Sequence, residues 1–252
     1  MKFYKSIKFQ LIVFLSIFAL YLSIVDKDAL FLLSTLLATV TAVITDTIIL
    51  SLKKKKPQIS ESSVITGLII GFVLYSRQPL YLVAVASLLA IISKHIIRFN
   101  KRHIFNPATL GILLTVIILH ASTQWKGTYL WYILVPAGCY FAYRFRKLML
   151  LISYGIVALS IFAIQALQQQ VPITSIFGYL SYFFIFIMLI EPKTSPITLP
   201  GMILFGVIVA ASIFILTEIG VHFDAELCGL LIGNAAFPWL NKLELNAKGG
   251  VT

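Results

Sequence analysis

The sequence is poor in what soluble enzymes are built from: two cysteines, four histidines and nine acids in 252 residues. Cys139 and Cys228 stand isolated in apolar runs, so they make neither a disulfide framework nor a metal spacing and read as small buried packing residues. Charged residues are only 12% of the chain, hydrophobic ones 60%, and mean hydropathy is +0.98, which excludes an ordinary soluble domain. No polar stretch is long enough to enclose a separate core, so a single membrane domain over residues 1–252 is expected. There is no Gly-x-Gly-x-x-Gly fingerprint, so any oxidation of a nicotinamide cofactor would need a soluble partner. No side chain reads as a nucleophile or general base with an orienting partner, so no catalytic residue and no metal ligand is assigned. Ionisable groups are also scarce in the middles of the apolar runs: Asp46 and Lys94 sit near one set of ends, Glu218 and His120 near the other. A self-contained ion pump carries such groups along its path, so their placement argues against one.

What the chain has is apolar length. Hydropathy and run length predict ten helices, near 7–25, 29–51, 62–76, 79–97, 104–120, 127–143, 148–168, 172–190, 198–218 and 226–240. The expected fold is all-α and membrane-integral. With both termini cytoplasmic, 17 of the 20 Lys and Arg fall on the cytoplasmic side, leaving Lys27, Arg77 and Lys126 outside. That bias accounts for the net charge of +11 without nucleic acid, and makes the Lys53 to Lys56 block a topology anchor before it is a lipid site. Segments 62–76 and 226–240 are about 22 Å long at 1.5 Å per residue, short of a hydrocarbon core of about 30 Å, and are candidate half-helices.

The two halves echo one another. Pro79 precedes Asn106-Pro107 by the same interval, 27 residues, that separates Pro200 from Leu227. Two inverted five-helix repeats, about 7–120 and 127–240, are therefore expected, with broken or half helices that place a binding site near the repeat interface. Small and neutral residues line the candidate spans: Ser62, Ser63, Thr66, Gly67, Gly111, Thr115, Gly138, Gly178, Ser181, Gly229, Gly233 and Asn234. They suit either close helix packing or the approach of backbone to a flat, neutral ligand. Two polar motifs stand out. In "KRHIFNPATLG", 101–111, Pro107 opens a helix, and Asn106 either caps it or offers amide donor and acceptor to a ring system. In "EPKTSPITLPG", 191–201, Ser195 or Thr198 can cap the helix that follows.

Taken together, Ser63 to Leu74, the Lys94 helix end, "IFNPATLG" at 104–111, "EPKTSPIT" at 191–198 with Gly201, and "LLIGNAAFPWLNK" at 230–242 resemble a known family. It is the membrane subunit family shared by the sodium-translocating NADH:quinone oxidoreductase (NqrB) and the Rnf electron-transport complex (RnfD). The resemblance spans about residues 60–242 and implies ten helices in two inverted repeats, a place in the cytoplasmic membrane, and partner subunits of a redox complex. It also implies flavin within the membrane, FMN on a threonine of a Ser-Gly-Ala-Thr-like motif in family members and a second, noncovalent riboflavin in some. Here riboflavin or FMN held noncovalently is expected, with contacts at Lys94, His103, Asn106, Thr109, Gly111, Glu191, Thr194 and Asn234. The sequence departs from the family in three ways. Glu191 stands where Asp is more common and His103 where Asn is common. The Gly-rich stretch before the Asn-Pro turn is replaced by Arg98-Phe99-Asn100-Lys101. A Ser-Gly-Ala-Thr motif for covalent flavin is missing from 112–148, where Thr123 is the nearest substitute and covalent attachment is disfavoured. The chain is thus a short, divergent relative, and a small-solute transporter or channel on the same architecture is the rival expectation, with a non-redox assembly subunit third.

Overall fold

The computed structural model describes residues 6–54, 59–99 and 102–243. Lys55, Lys56, Asn100 and Lys101, named in the sequence motifs, lie outside the described residues. The chain divides into two compact units, residues 1–98 with 105–127, and residues 99–104 with 128–252.

The first unit holds five helices: α1 (Ile7–Val25), α2 (Ala29–Leu52), α3 (Glu61–Val73), α4 (Leu80–Ile96) and α5 (Pro107–Leu119). α1 and α2 are long because their apolar runs are uninterrupted; between them Asp28 caps α2, its carboxylate accepting the Phe31 amide at 3.1 Å. α3 stops after 13 residues, short of the expected 62–76, and the cause is non-local. Its last carbonyls are taken by the chain that follows α5: Phe72 O accepts from the Lys126 amide at 2.8 Å and Val73 O from the Gln124 amide at 2.7 Å. Leu74 then pairs with Thr123 as an antiparallel bridge. α3 lies flush on α2, where a Cβ at Gly67 would meet the Ala38 and Thr39 backbone and one at Gly71 would meet Thr35. Phe72 stacks on Phe18 at 5.6 Å and meets Phe31 edge-on at 5.3 Å, closing the core between α1, α2 and α3.

The second unit contains α6 (Trp131–Arg144), α7 (Leu148–Gln168), α8 (Leu199–Glu218) and α9 (Ala225–Leu240). A two-stranded ribbon, β1 (Arg98–Phe99) with β2 (Arg102–His103), precedes α5. The single helix expected at 172–190 is instead a 3-10 turn, Ile173–Gly178, followed by a short helix that widens into a π-turn at Phe184–Met188. The widening is an i to i+5 bond, Leu189 amide to Phe184 carbonyl, at 3.0 Å. Phe183 and Phe184 are fully buried there, and α6 approaches closely enough that Phe186 would meet any side chain at position 138, a glycine. α8 lies against α7 at Gly206 and against α9 at Gly229 and Gly233. Both cysteines are free, and Cys139 is exposed rather than buried because it lies on an outward face of α6.

α1, α2, α7 and α8 are long and apolar enough to cross a membrane, and α3, α4, α5 and α9 are shorter apolar helices.

Candidate functional site

In the first unit the candidate residues gather at the start of α5. Asn106 is 1% exposed and caps the helix, its Oδ1 accepting the Thr109 amide at 3.1 Å, and Pro107 occupies the first turn. The cap orients the turn so that Thr109 is wholly enclosed, and its Oγ1 makes no hydrogen bond. An enclosed hydroxyl without a partner forfeits about 1–3 kcal/mol unless something binds it. One turn on, Gly111 lets α5 press against Ala86 and Ala90 of α4. Lys94, at the end of α4, is engaged by α2: its ammonium is 3.1 Å from Asp46 Oδ2, while His95 Nε2 lies 2.6 Å from Asp46 Oδ1. The 2.6 Å contact with a carboxylate places a proton on His95 Nε2, and Lys53 approaches the other ring nitrogen, Nδ1, at 3.5 Å.

In the second unit they gather on the turn after the π-segment. His103 is 4% exposed, and its Nε2 lies 3.7 Å from Glu191 Oε1, too far for a hydrogen bond, so this buried ring nitrogen has none. Asn234, fully buried on α9, donates from Nδ2 to the Thr194 carbonyl at 3.0 Å. Of the two expected caps, Thr198 takes the role, accepting the Gly201 amide at 3.2 Å; Ser195 instead donates to the Glu191 carbonyl at 2.6 Å.

The residue that organises this turn is one the sequence reading missed. Lys147, 2% exposed just before α7, donates to the Ser195 carbonyl at 3.2 Å and to the Pro196 carbonyl. Burial, and then the charge of Arg102, push its ammonium down to about 8. The first unit has a counterpart of opposite sign. Asp28 accepts from Ser76 Oγ at 3.0 Å and pairs with Lys126 at 3.2 Å, and Lys126 also pairs with Asp26 at 2.9 Å. Burial works to raise the Asp28 carboxyl, yet the Phe31 amide, Ser76 and Lys126 together hold it below its ordinary value. Lys126, despite burial, is held above its own by Asp26 and Asp28. Asp28 to Ser76 and Lys147 to Ser195 are the same 48 residues apart, the signal that could have found both.

Long apolar helices, enclosed small polar residues and charges confined to helix ends define a multi-pass helical membrane protein. The sequence model of the NQR2, RnfD, RnfE family matches residues 4–129, half of the chain, and the protein belongs to that family of membrane subunits of Rnf and Nqr electron-transport complexes. No curated protein matches it. The match takes in Lys94, His103, Asn106, Thr109 and Gly111.

Proposed function

We propose that the protein is the flavin-binding membrane subunit of an Rnf/Nqr-like electron-transport complex, holding riboflavin or FMN noncovalently. The observation that carries this reading is Thr109: a fully enclosed hydroxyl, without a hydrogen bond, in the first turn of the helix that Asn106 caps. It presents a donor and acceptor to a neutral heterocycle, and α5, which carries no charged side chain, suits such a ligand better than an ion. Within the second unit, His103 Nε2 is likewise a buried polar atom without a hydrogen bond. The flavin, when bound, supplies the one- and two-electron chemistry. The chain supplies hydrogen bonds and exclusion of water, while Lys94 steadies the end of α4 through Asp46.

Inverted repeats are part of the proposal, and the helix starts support the repetition. Ala29 and Leu148 open α2 and α7 119 positions apart (148 less 29), and Leu80 and Leu199 open α4 and α8 at the same offset (199 less 80). The Asp28–Ser76 and Lys147–Ser195 clamps obey it too, two positions short of the register that the proline landmarks suggest. Five crossings per repeat would insert the second copy upside down. Membrane lipid and partner subunits complete the proposal. Titrating riboflavin into the purified full-length protein tests it: its fluorescence is quenched on binding, and Thr109→Val weakens binding about fivefold, the worth of about 1 kcal/mol for one hydrogen bond. No quenching by folded wild-type protein, with solute flux in liposomes instead, would favour the transporter.

A further inference from the structure

The first turn of α9 carries a carboxyl without a counter-charge among the described residues. Asp224 caps this helix, its Oδ1 accepting the amides of Glu226 and Leu227 at 3.1 Å each. Glu226 Oε2 exposes less than 1 Å² and makes no hydrogen bond; the Ser181 hydroxyl, which faces it from the chain before the π-segment, is as enclosed and makes none either. Tyr154 of α7, 5% exposed, lies within reach of the Glu226 charge. Among the described residues no Lys, Arg or His pairs with Glu226. The charged group beside it is Asp224, of the same sign, and the remaining titratable groups around the turn are Tyr154, Cys228 and the exposed His222. α8 meets α9 with apolar Phe205, Val209 and Ile213.

An ionised carboxylate with one oxygen withdrawn from water beside a second carboxylate, and with no cation among the described residues to answer it, is disfavoured. Something must neutralise it. We propose that Glu226 is a proton-binding site: the folded protein holds a proton on its carboxyl and hydrogen-bonds it to Ser181. One proton removes the charge and gives Oε2 a hydrogen to donate to the Ser181 oxygen, which satisfies both orphaned atoms at once. A groove between α7 and α8 opens beside Tyr154. Tyr154 lies on its wall, as do Gln165 and Thr217, and Gln165 hydrogen-bonds Glu218 at 2.8 Å where α8 ends at the surface. The site does not depend on a flavin being bound.

Infrared difference spectroscopy on the full-length protein in lipid nanodiscs tests this. Wild type minus Glu226→Gln shows the carbonyl stretch of one neutral carboxyl at pH 7. Ser181→Ala moves that band to higher frequency, because a hydrogen bond to the acid is lost, and exchanging choline chloride for sodium chloride leaves it in place. The variant melts no lower than wild type, since Gln has the same size and no charge to bury. Carboxylate stretches in place of the carbonyl band would overturn the proposal, as would a band abolished by sodium, which would make the occupant a metal cation. If the Gln variant fails to fold, the carbonyl region of wild type against Ser181→Ala reads the same acid.

Discussion

Replacing Lys147 by Met sets two opposed energies against each other, and pH separates them. In wild type the ammonium sits 2% exposed under the 191–198 turn and is pushed from 10.5 to about 8. A depression of that size means that the charged form is disfavoured by about 3 kcal/mol relative to the unfolded chain, at about 1.4 kcal/mol per pH unit. Because the folded state binds fewer protons than the unfolded one between pH 8 and 10.5, wild-type stability rises with pH across that window; below pH 8 the full cost is present. Met at 147 removes this cost but strands the Ser195 and Pro196 carbonyls, at about 1–3 kcal/mol for each unpaired group. The two nearly cancel at pH 7, so Lys147→Met melts within a few degrees of wild type there. At pH 10, where wild type has shed most of its penalty and still donates through the neutral amine, the variant is the less stable by about 2 kcal/mol. Thermal melts of both proteins in one detergent at one scan rate, followed by tryptophan fluorescence at pH 7 and pH 10, measure the difference. Equal pH dependence in the two proteins would refute the placement of a buried ammonium under this turn.

Two further substitutions probe packing and charge in the first unit, with a packing control on α7 of the second. Gly67→Ala drives a methyl into the Ala38 and Thr39 backbone and lowers stability by about 1–3 kcal/mol, whereas Gly155→Ala, with nothing within 4 Å, changes the melt little. Asp46→Asn leaves Lys94 and His95 without their shared carboxylate and costs about 3 kcal/mol, measured as the fall in melting temperature and partly recovered in Asp46→Asn with Lys94→Met.

Much of this fold is written locally. The limits of α1 and α7 coincide with their apolar runs because nothing outside those runs competes for their backbone. Asn106 and Thr198 cap their helices as their residue types foretell. What escapes a linear reading is set by distant chain. α3 ends at Val73 because residues 124 and 126 claim its carbonyls, and hydropathy carries no record of that pairing. The 172–190 segment is continuous in hydropathy, yet Pro172 opens a 3-10 turn and the crowded Phe183, Phe184 and Phe186 pack only when the helix widens. At the candidate site, the cap at Asn106 was legible as a polar amide ahead of a proline that opens a helix, whereas the donation of Asn234 to the Thr194 carbonyl was not. The engagement of Lys94 by Asp46, and of the 191–198 turn by Lys147, was not. Each joins residues 48 apart, across elements whose contact only tertiary packing decides.

The central claim is that this membrane protein holds a flavin, and the most direct measurement is the flavin content of the full-length protein, purified from membranes and extracted with acid. The account predicts released flavin close to one per chain, with none left on the precipitated protein. Well-folded protein that yields no flavin, purified alone or with its partner subunits, would contradict it.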